Sequence, residues 1–261
     1  MASLAPQARD GAMRPLARSL LAVVARLQRQ SGLTDTERDA LLALPAHMTV
    51  IERGDHLVQE GKATDSCCAL LAGFACRHRS TGAGQRQILA IHMKGDLVDL
   101  QNAGLGTVDY GVQALTAVTV AYIPRRALLK LAAEHPAIAK ALWTDALIDA
   151  SITREWLMNL GRRNAYQRIS HLLCELAVRE NHASLNDDGN FAVPLTQEQI
   201  GEVTGLTAVH VNRTIQRMRA EGFIRVAAQR MSIVDWPALV AAADFDRAYL
   251  HQPAGENGVP S

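Results

Sequence analysis

The chain lacks an excess of charge of either sign. Its 27 Lys and Arg stand against 26 Asp and Glu, a formal net charge of +1. That excludes a polycation binding nucleic acid through bulk charge, so any such affinity must come from a local patch. Cysteine is scarce. Cys67, Cys68, Cys76 and Cys174 form no C-x-x-C pair, and none precedes Cys67, as expected of a reduced, cytosolic chain. Long apolar runs are missing too. The N-terminal "LLAVVA", flanked by Arg18 and Arg26, is about half a signal-peptide core. No stretch nears the roughly 18 apolar residues that span a bilayer. The expectation is a cytoplasmic protein with no membrane partner.

What is present has a changing texture. The 261 residues, 48% hydrophobic, favour more than one domain. Residues 1–12 are small and polar and read as disordered. The leucines of "RPLARSLLAVVARLQRQSGLTDTERDALLAL" recur at helical spacing, with Thr34 as a helix cap and an acid three residues on. From about 47 to 125 glycines punctuate short runs such as "CCALLAG", "FACRHRS" and "RQILAIHM", which predicts a β-barrel or β-roll. Adjacent Cys67 and Cys68 on a strand should point to opposite faces. From Pro124 to Leu160 the glycines vanish and the pattern is helical, restarting at Pro136. Ile148, Ile152, Trp156 and Leu160 step by four, with Leu142 and its neighbours beside them. This apolar surface is too wide for one stripe. It predicts contact with both the chain's own β-domain and a partner helix.

One short segment is basic. "LTAVHVNRTIQRMRAEG", residues 206–222, has one histidine, three arginines and no acid before Glu221. With the preceding "TQEQIGEV" it reads as two helices and a tight turn at Gly205. Ile200, Val203, Leu206, Val211, Ile215 and Met218 form a small core, and Gly201 leaves room where a second helix crosses. This is the helix-turn-helix pattern. The face left over shows Ala208, Val209, Asn212, Arg213 and Arg217. Arginine can bond guanine O6 and N7 together, and asparagine can pair with adenine. Arg217 and Arg219 are expected to neutralise phosphate. "GFIRVAAQRMSIV" follows as two short strands, a wing lying against the backbone.

Taken in order from about residue 34 to 236, these motifs resemble the Crp/Fnr transcription regulators. "LVQEGKATDSCCALLAGFACRHR", "QRQILAIHMKGDLVDL" and "VQALTAVTVAYIPRRAL" are similar to that family's β-roll, with Gly61, Gly73 and Gly95-Asp96 at turns. "LTQEQIGEVTGLTAVHVNRTIQRMRAEGFI" resembles its winged helix-turn-helix. The resemblance implies an α+β fold: a cyclic-nucleotide-binding-like β-roll with N-terminal helices (13–135), a dimerisation helix (136–162), a winged helix-turn-helix (163–246) and a flexible tail (247–261). It implies a homodimer on double-stranded DNA at an inverted repeat, with Leu142, Ile148, Ile152 and Trp156 on the dimer helix, and a contact with RNA polymerase. Arg213 falls on the arginine that reads guanine in the family, and Ala208, Val209 and Asn212 join it at the bases. Thr207 and His210 match phosphate-contacting positions, and Gln197, which starts the first helix of the motif, is expected to contact phosphate with them. Where the family often carries a glutamate-threonine or glutamate-serine step, this chain has Val209-His210. The acceptor for a cytosine or adenine amino group is gone, and Val209 is instead suited to a thymine methyl.

The effector is less legible. Relatives that bind cyclic nucleotides carry a glycine-glutamate step and then an arginine-serine or arginine-threonine step. "GDLVDLQNAGLGTVDYGVQAL" has Asp99 but no glutamate, and Asp109-Tyr110-Gly111 where the arginine should fall. Cyclic AMP is therefore disfavoured, and Asp96, Asp99 and Tyr110 are the candidates for a pocket taking another small molecule. An iron–sulfur cluster is disfavoured for want of N-terminal thiolates. Haem, with His78, His92 and Met93 as candidate ligands, and a redox role for Cys67 or Cys68 are the alternatives within the same fold. A cupin-like metal enzyme would gather histidines and an acid on facing strands. No H-x-H pair, paired carboxylate or nucleophile elbow occurs, so no catalytic or metal-binding residue is assigned.

Overall fold

The computed structural model describes residues 20–105, 108–180, 190–191, 193, 195–227 and 230–252. The expected disorder over 1–12 and the end of the expected tail, from 253, lie outside the described residues. In chain order the elements are helices α1 (Leu21–Ser31) and α2 (Asp35–Leu42) and strands β1 (His47–Ile51), β2 (His56–Val58), β3 (Ser66–Ala72), β4 (Ala75–Ser80) and β5 (Arg86–His92). Next come α3 (Leu100–Leu105), β6 (Gly111–Ala114), β7 (Val118–Pro124), α4 (Arg125–Glu134), α5 (Pro136–Arg162) and α6 (Ala165–Arg179). The remainder is β8 (Asn190–Phe191), α7 (Gln197–Thr204), α8 (Ala208–Ala220), β9 (Ile224–Ala227), β10 (Arg230–Ile233), α9 (Trp236–Ala243) and a 3-10 turn, Arg247–Leu250. Contacts divide the chain into two units. One comprises Met1–Ala75 with His92–Ala146, the other Cys76–Ile91 with Leu147–Ser261.

In the first unit β7 is the central strand of an antiparallel sheet, between β1 and β3. β3 reads as a continuous apolar run because both its faces are covered. Cys67, Ala69 and Leu71 join a core with residues of α1, α2, α4 and α5. Cys68 and Leu70 join a second core with Val58, Val98, Val112 and Val120. The two cysteines thus point opposite ways, as strand alternation requires. Thr34 caps α2 reciprocally with Glu37, and those bonds hold the Glu37 carboxyl below its ordinary value. α1 is tied in by Arg26, which pairs with Asp96 and donates Nε to Asp145 Oδ1 at 3.1 Å. Gly95, at φ +96°, lets the α1 backbone approach, since a Cβ there would lie 3.1 Å from the Ala22 carbonyl oxygen.

α5 runs unbroken for 27 residues. Pro136 opens it, where a missing N–H costs nothing, and His135 before it is extended. Leu142, Ile148, Ile152 and Trp156, expected at a dimer seam, are all buried within the chain itself. The exposed apolar face is a different one: Trp143 is 68% exposed, Leu147 50% and Leu157 71%. Both faces are apolar, and the step-of-four spacing in the sequence belongs to the inner one.

In the second unit Asn164 and Gln167 form a reciprocal cap that starts α6. Glu175 on α6 is fully buried. A buried carboxylate is costly without partners, and three side chains supply them. Trp156 Nε1 and Tyr249 Oη donate to Oε2, each at 2.8 Å, and Arg179 Nη1 donates to Oε1 at 3.1 Å. Tyr249 belongs to the 3-10 turn and Leu250 beside it is buried. The segment 247–250 is therefore packed structure rather than the start of a flexible tail.

His171 lies next to this site, buried, stacked on Tyr249 and edge-on to Phe245. Its Nε2 is 3.2 Å from Glu155 Oε1, which also accepts from Arg163 Nη1 at 2.6 Å. Burial pushes the imidazole below its ordinary pKa, with Arg163 adding to the effect against the pull of Glu175 and Glu155. The folded form is then the neutral one, and the unfolded chain binds the extra proton. This contribution to stability is complete above about pH 6.5 and declines as pH falls. Urea unfolding from pH 8 to 5 should show that decline, and His171→Gln should flatten it. Identical pH profiles for the two proteins would place the effect elsewhere.

Candidate nucleic-acid interface

α7 and α8 form a tight pair set by local sequence. Thr196 and Gln199 cap α7 reciprocally, and Gly205 closes it in the left-handed conformation, φ +66°. Thr207 caps α8, its hydroxyl accepting from the His210 N–H at 3.3 Å. Ile200, Val203, Val211, Ile215 and Met218 are buried, as the apolar spacing predicts, while Leu206, expected in the same core, is half-buried. The role of Gly201 is more specific than room for a crossing helix. A Cβ there would lie 2.4 Å from the backbone oxygen of Leu206, whose own N–H donates to the Gly201 carbonyl at 3.0 Å. The turn closes on itself at this point. β9 pairs antiparallel with β10, which also pairs with β8, making a three-stranded wing.

With one side of α8 buried, its outer side is fixed. Ala208, Val209, Asn212, Arg213, Gln216, Arg217, Arg219 and Ala220 are exposed. Val209 is 81% exposed, a large apolar side chain held out in water. Arg213 makes no ion pair with any described residue. Asn212 Nδ2 donates to Gln197 Oε1 at 3.0 Å, so these two expected DNA contacts form one amide pair across the two helices. His210 is half-buried. Arg217 is more engaged than a purely basic stripe suggests. Its Nε donates to Glu221 Oε1 at 2.8 Å, and its guanidinium lies over the Tyr166 ring, 4.8 Å from the centroid. Tyr166 donates its hydroxyl proton to Glu221 Oε2 at 2.5 Å. These bonds hold the Glu221 carboxyl below its ordinary value. The terminal acid of the helix thus folds back on one flank and leaves the crest Val209–Arg213–Gln216–Ala220 free of negative charge. Gln216 is absent from the face expected of the sequence, although its spacing of seven from Val209 signals it.

The candidates for an effector pocket are occupied by the fold. Asp99 Oδ1 accepts from the Cys68 N–H at 2.6 Å, Asp96 Oδ2 from the Met93 N–H at 3.0 Å, and Tyr110 donates to Gln101 Oε1 at 3.1 Å. All three residues are buried. Asp96 thus satisfies a backbone donor at the Gly95 turn and Asp99 one in β3. Cys67 and Cys68 are buried as well. Burial, reinforced by Asp99, pushes both thiols well above their ordinary value. The reactive thiolate is thereby suppressed, against the redox role held open for them. His92 and Met93 are buried and His78 is half-buried. Among the described residues no three His, Cys, Asp or Glu side chains gather as a metal-binding group.

Comparison with known proteins agrees with both units. A Crp-like helix-turn-helix domain matches residues 167–242, and a cyclic nucleotide-binding domain matches residues 48–135. The chain belongs to the Crp/Fnr family of transcription regulators. It is 26% identical over 216 residues to the transcriptional activator protein FnrL of Cereibacter sphaeroides, covering 81% of this chain and 86% of that protein. It is 25% identical to the transcriptional activator protein Anr of Pseudomonas aeruginosa, over 81% of this chain and 86% of the relative. Among solved structures, FixK2 of Bradyrhizobium japonicum superposes with a TM-score of 0.70 at 22% identity, covering 76% of this chain and 98% of FixK2. The chain is a Crp/Fnr-type DNA-binding transcription regulator with the family's β-roll, long helix and C-terminal helix-turn-helix. None of its described helices is long and apolar enough to cross a membrane.

Gly201→Ala should destabilise the second unit by about 1–3 kcal/mol, the usual cost of forcing atoms into a filled space. The readout is a lower unfolding temperature with loss of DNA binding. An unchanged unfolding temperature would show that the 201–206 turn yields to a methyl group.

Proposed function

We propose that this regulator is a cytoplasmic homodimer that reads an inverted repeat in double-stranded DNA through α8. The observation that carries the reading is the acid-free crest of α8, with Val209 held out in solvent and Arg213 in no ion pair with a described residue. In the major groove Arg213 takes guanine O6 and N7, and Val209 meets a thymine methyl. Ala208 allows close approach, and Asn212 offers its amide to an adjacent base, with Gln197 as its support. Thr207, His210 and Arg217 serve the phosphates. Arg217 brings a charge already shared with Glu221, so its contribution is smaller than that of an isolated cation. RNA polymerase is the downstream partner that the family relationship suggests. The effector is a small molecule acting on the β-roll.

The dimer seam follows from the exposed face of α5. Trp143, Leu147, Ala150, Arg154 and Leu157 recur at steps of four and three. That is the heptad spacing of two helices packed side by side. A two-fold pairing on this seam would set two copies of α8 one DNA turn apart, roughly 34 Å.

Selection of bound duplexes from a random pool should return an inverted repeat. Arg213→Ala should then lose about 1–3 kcal/mol of specific binding, concentrated at one base position. Equal site preference without Arg213 would remove it from the bases. Leu147→Glu combined with Leu157→Glu should yield a folded monomer by sedimentation that binds the inverted repeat far more weakly. A dimer that survives both changes would place the seam elsewhere.

A further inference from the structure

The turn between α7 and α8 brings two exposed amides together. Gln197 is the first residue of α7, and Asn212 lies in the second turn of α8. Asn212 Nδ2 donates to Gln197 Oε1 at 3.0 Å, and neither side chain bonds to another described side chain. Val209, Asn212 and Arg213 stand at i, i+3 and i+4, so they are neighbours on the helix surface. An amide carries one acceptor oxygen and two N–H donors. With one N–H given to Gln197, Asn212 keeps its oxygen and its second N–H, an acceptor beside a donor. That combination matches one base edge in the major groove. Adenine offers the N6 amino donor beside the N7 acceptor, whereas guanine offers two acceptors, O6 and N7. Reversed, Asn212 would accept from Gln197 and turn both N–H groups outward, which suits guanine or the O4 of thymine.

What holds the sense of the pair lies on the far side of Gln197. Phosphate oxygens in DNA accept hydrogen bonds and do not donate them. A phosphate beside Gln197 therefore takes its Nε2 and leaves Oε1 for Asn212. Resting on the reading of α8 as the base-facing helix, we propose that Gln197 is a positioning residue that fixes the polarity of Asn212. The pair then selects adenine at a base pair adjoining the guanine read by Arg213. Gln197 itself touches no base. Val209 leaves α8 without a carboxylate acceptor at its own position, and Asn212 Oδ1 supplies an acceptor three residues further on. A base pair with guanine or thymine at that edge would set oxygen against oxygen, and the contact would be lost.

The test uses the full-length protein and a selected duplex, with that adenine replaced in turn by each other base. Two analogues divide the contact: purine lacks the N6 amino group, and 7-deazaadenine lacks N7. The parent should prefer adenine by roughly 5- to 150-fold, the worth of one bidentate base contact, and should lose affinity with either analogue. Asn212→Ala should bind all these duplexes alike. Gln197→Met is similar in length and carries no amide, and it should lose most of the preference. Gln197→Glu offers acceptors only, so Asn212 still donates to it. This variant should keep the adenine preference at a lower overall affinity, because its charge faces a polyanion. Unfolding temperatures of all variants are checked against the parent. Parental preference in Gln197→Met would overturn the proposal. Both Gln197 variants weakening every duplex by one factor would also overturn it, and leave Gln197 a phosphate contact alone. So would loss of the preference in Gln197→Glu, or a parent indifferent to both analogues. Failure of the parent to bind any duplex would sink the assignment of α8 itself. Loss of guanine preference in Arg213→Ala, with Asn212→Ala still preferring adenine, would sink only the amide pair.

Discussion

The carbonyl of Leu206 occupies the space that any side chain at position 201 would need, and the DNA-facing surface depends on that contact. Because Gly201 yields the space, the chain can end α7, turn within three residues and begin α8 with Thr207 already capping it. The short turn fixes the rotation of α8 about its own axis. Once Val211, Ile215 and Met218 are committed to the core, Val209, Arg213 and Gln216 have only solvent to face. The surface charge follows from the same rotation. It puts Glu221 beside Arg217 and Tyr166 on a flank and keeps it from the crest. A chain with almost no net charge can in this way present a positive face to a polyanion.

The opposite economy governs the sensor turn. Acidic side chains at a Gly-Asp turn look like ligand groups when only the sequence is in view. Here Asp96 and Asp99 serve backbone N–H groups of β-structure, and Arg26 from α1 answers the charge of Asp96 and reaches Asp145 on α5. One guanidinium thus links the N-terminal helix, the turn and the long helix of the first unit. The β-roll is held by polar bonds that a ligand would have to compete for, so these carboxylates are better understood as part of its frame.

The features legible in the sequence were those set by local periodicity or by a single backbone requirement. The cap at Thr34, the left-handed Gly205, the opposed Cys67 and Cys68, and the inward set Ile200, Val203, Val211 and Met218 all depend on neighbours within a few residues. The less legible features depended on distant partners. On α5 two apolar stripes run side by side, and only packing shows that Ile148, Ile152 and Trp156 are internal while Trp143, Leu147 and Leu157 are outside. The Tyr166 ring and hydroxyl that engage Arg217 and Glu221 come from 51 positions before Arg217, a contact that no spacing shows.

Tyr249 shows how far the folded part of the chain extends past its last regular helix. Its hydroxyl is one of three donors compensating Glu175, and its ring covers His171. A fragment trimmed just beyond the wing would look complete as a helix-turn-helix, yet it would strand an anion in an apolar interior with one donor fewer. Any shortened version made for crystallisation or binding work should therefore retain the residues through Leu250, even though they lie well away from the bases.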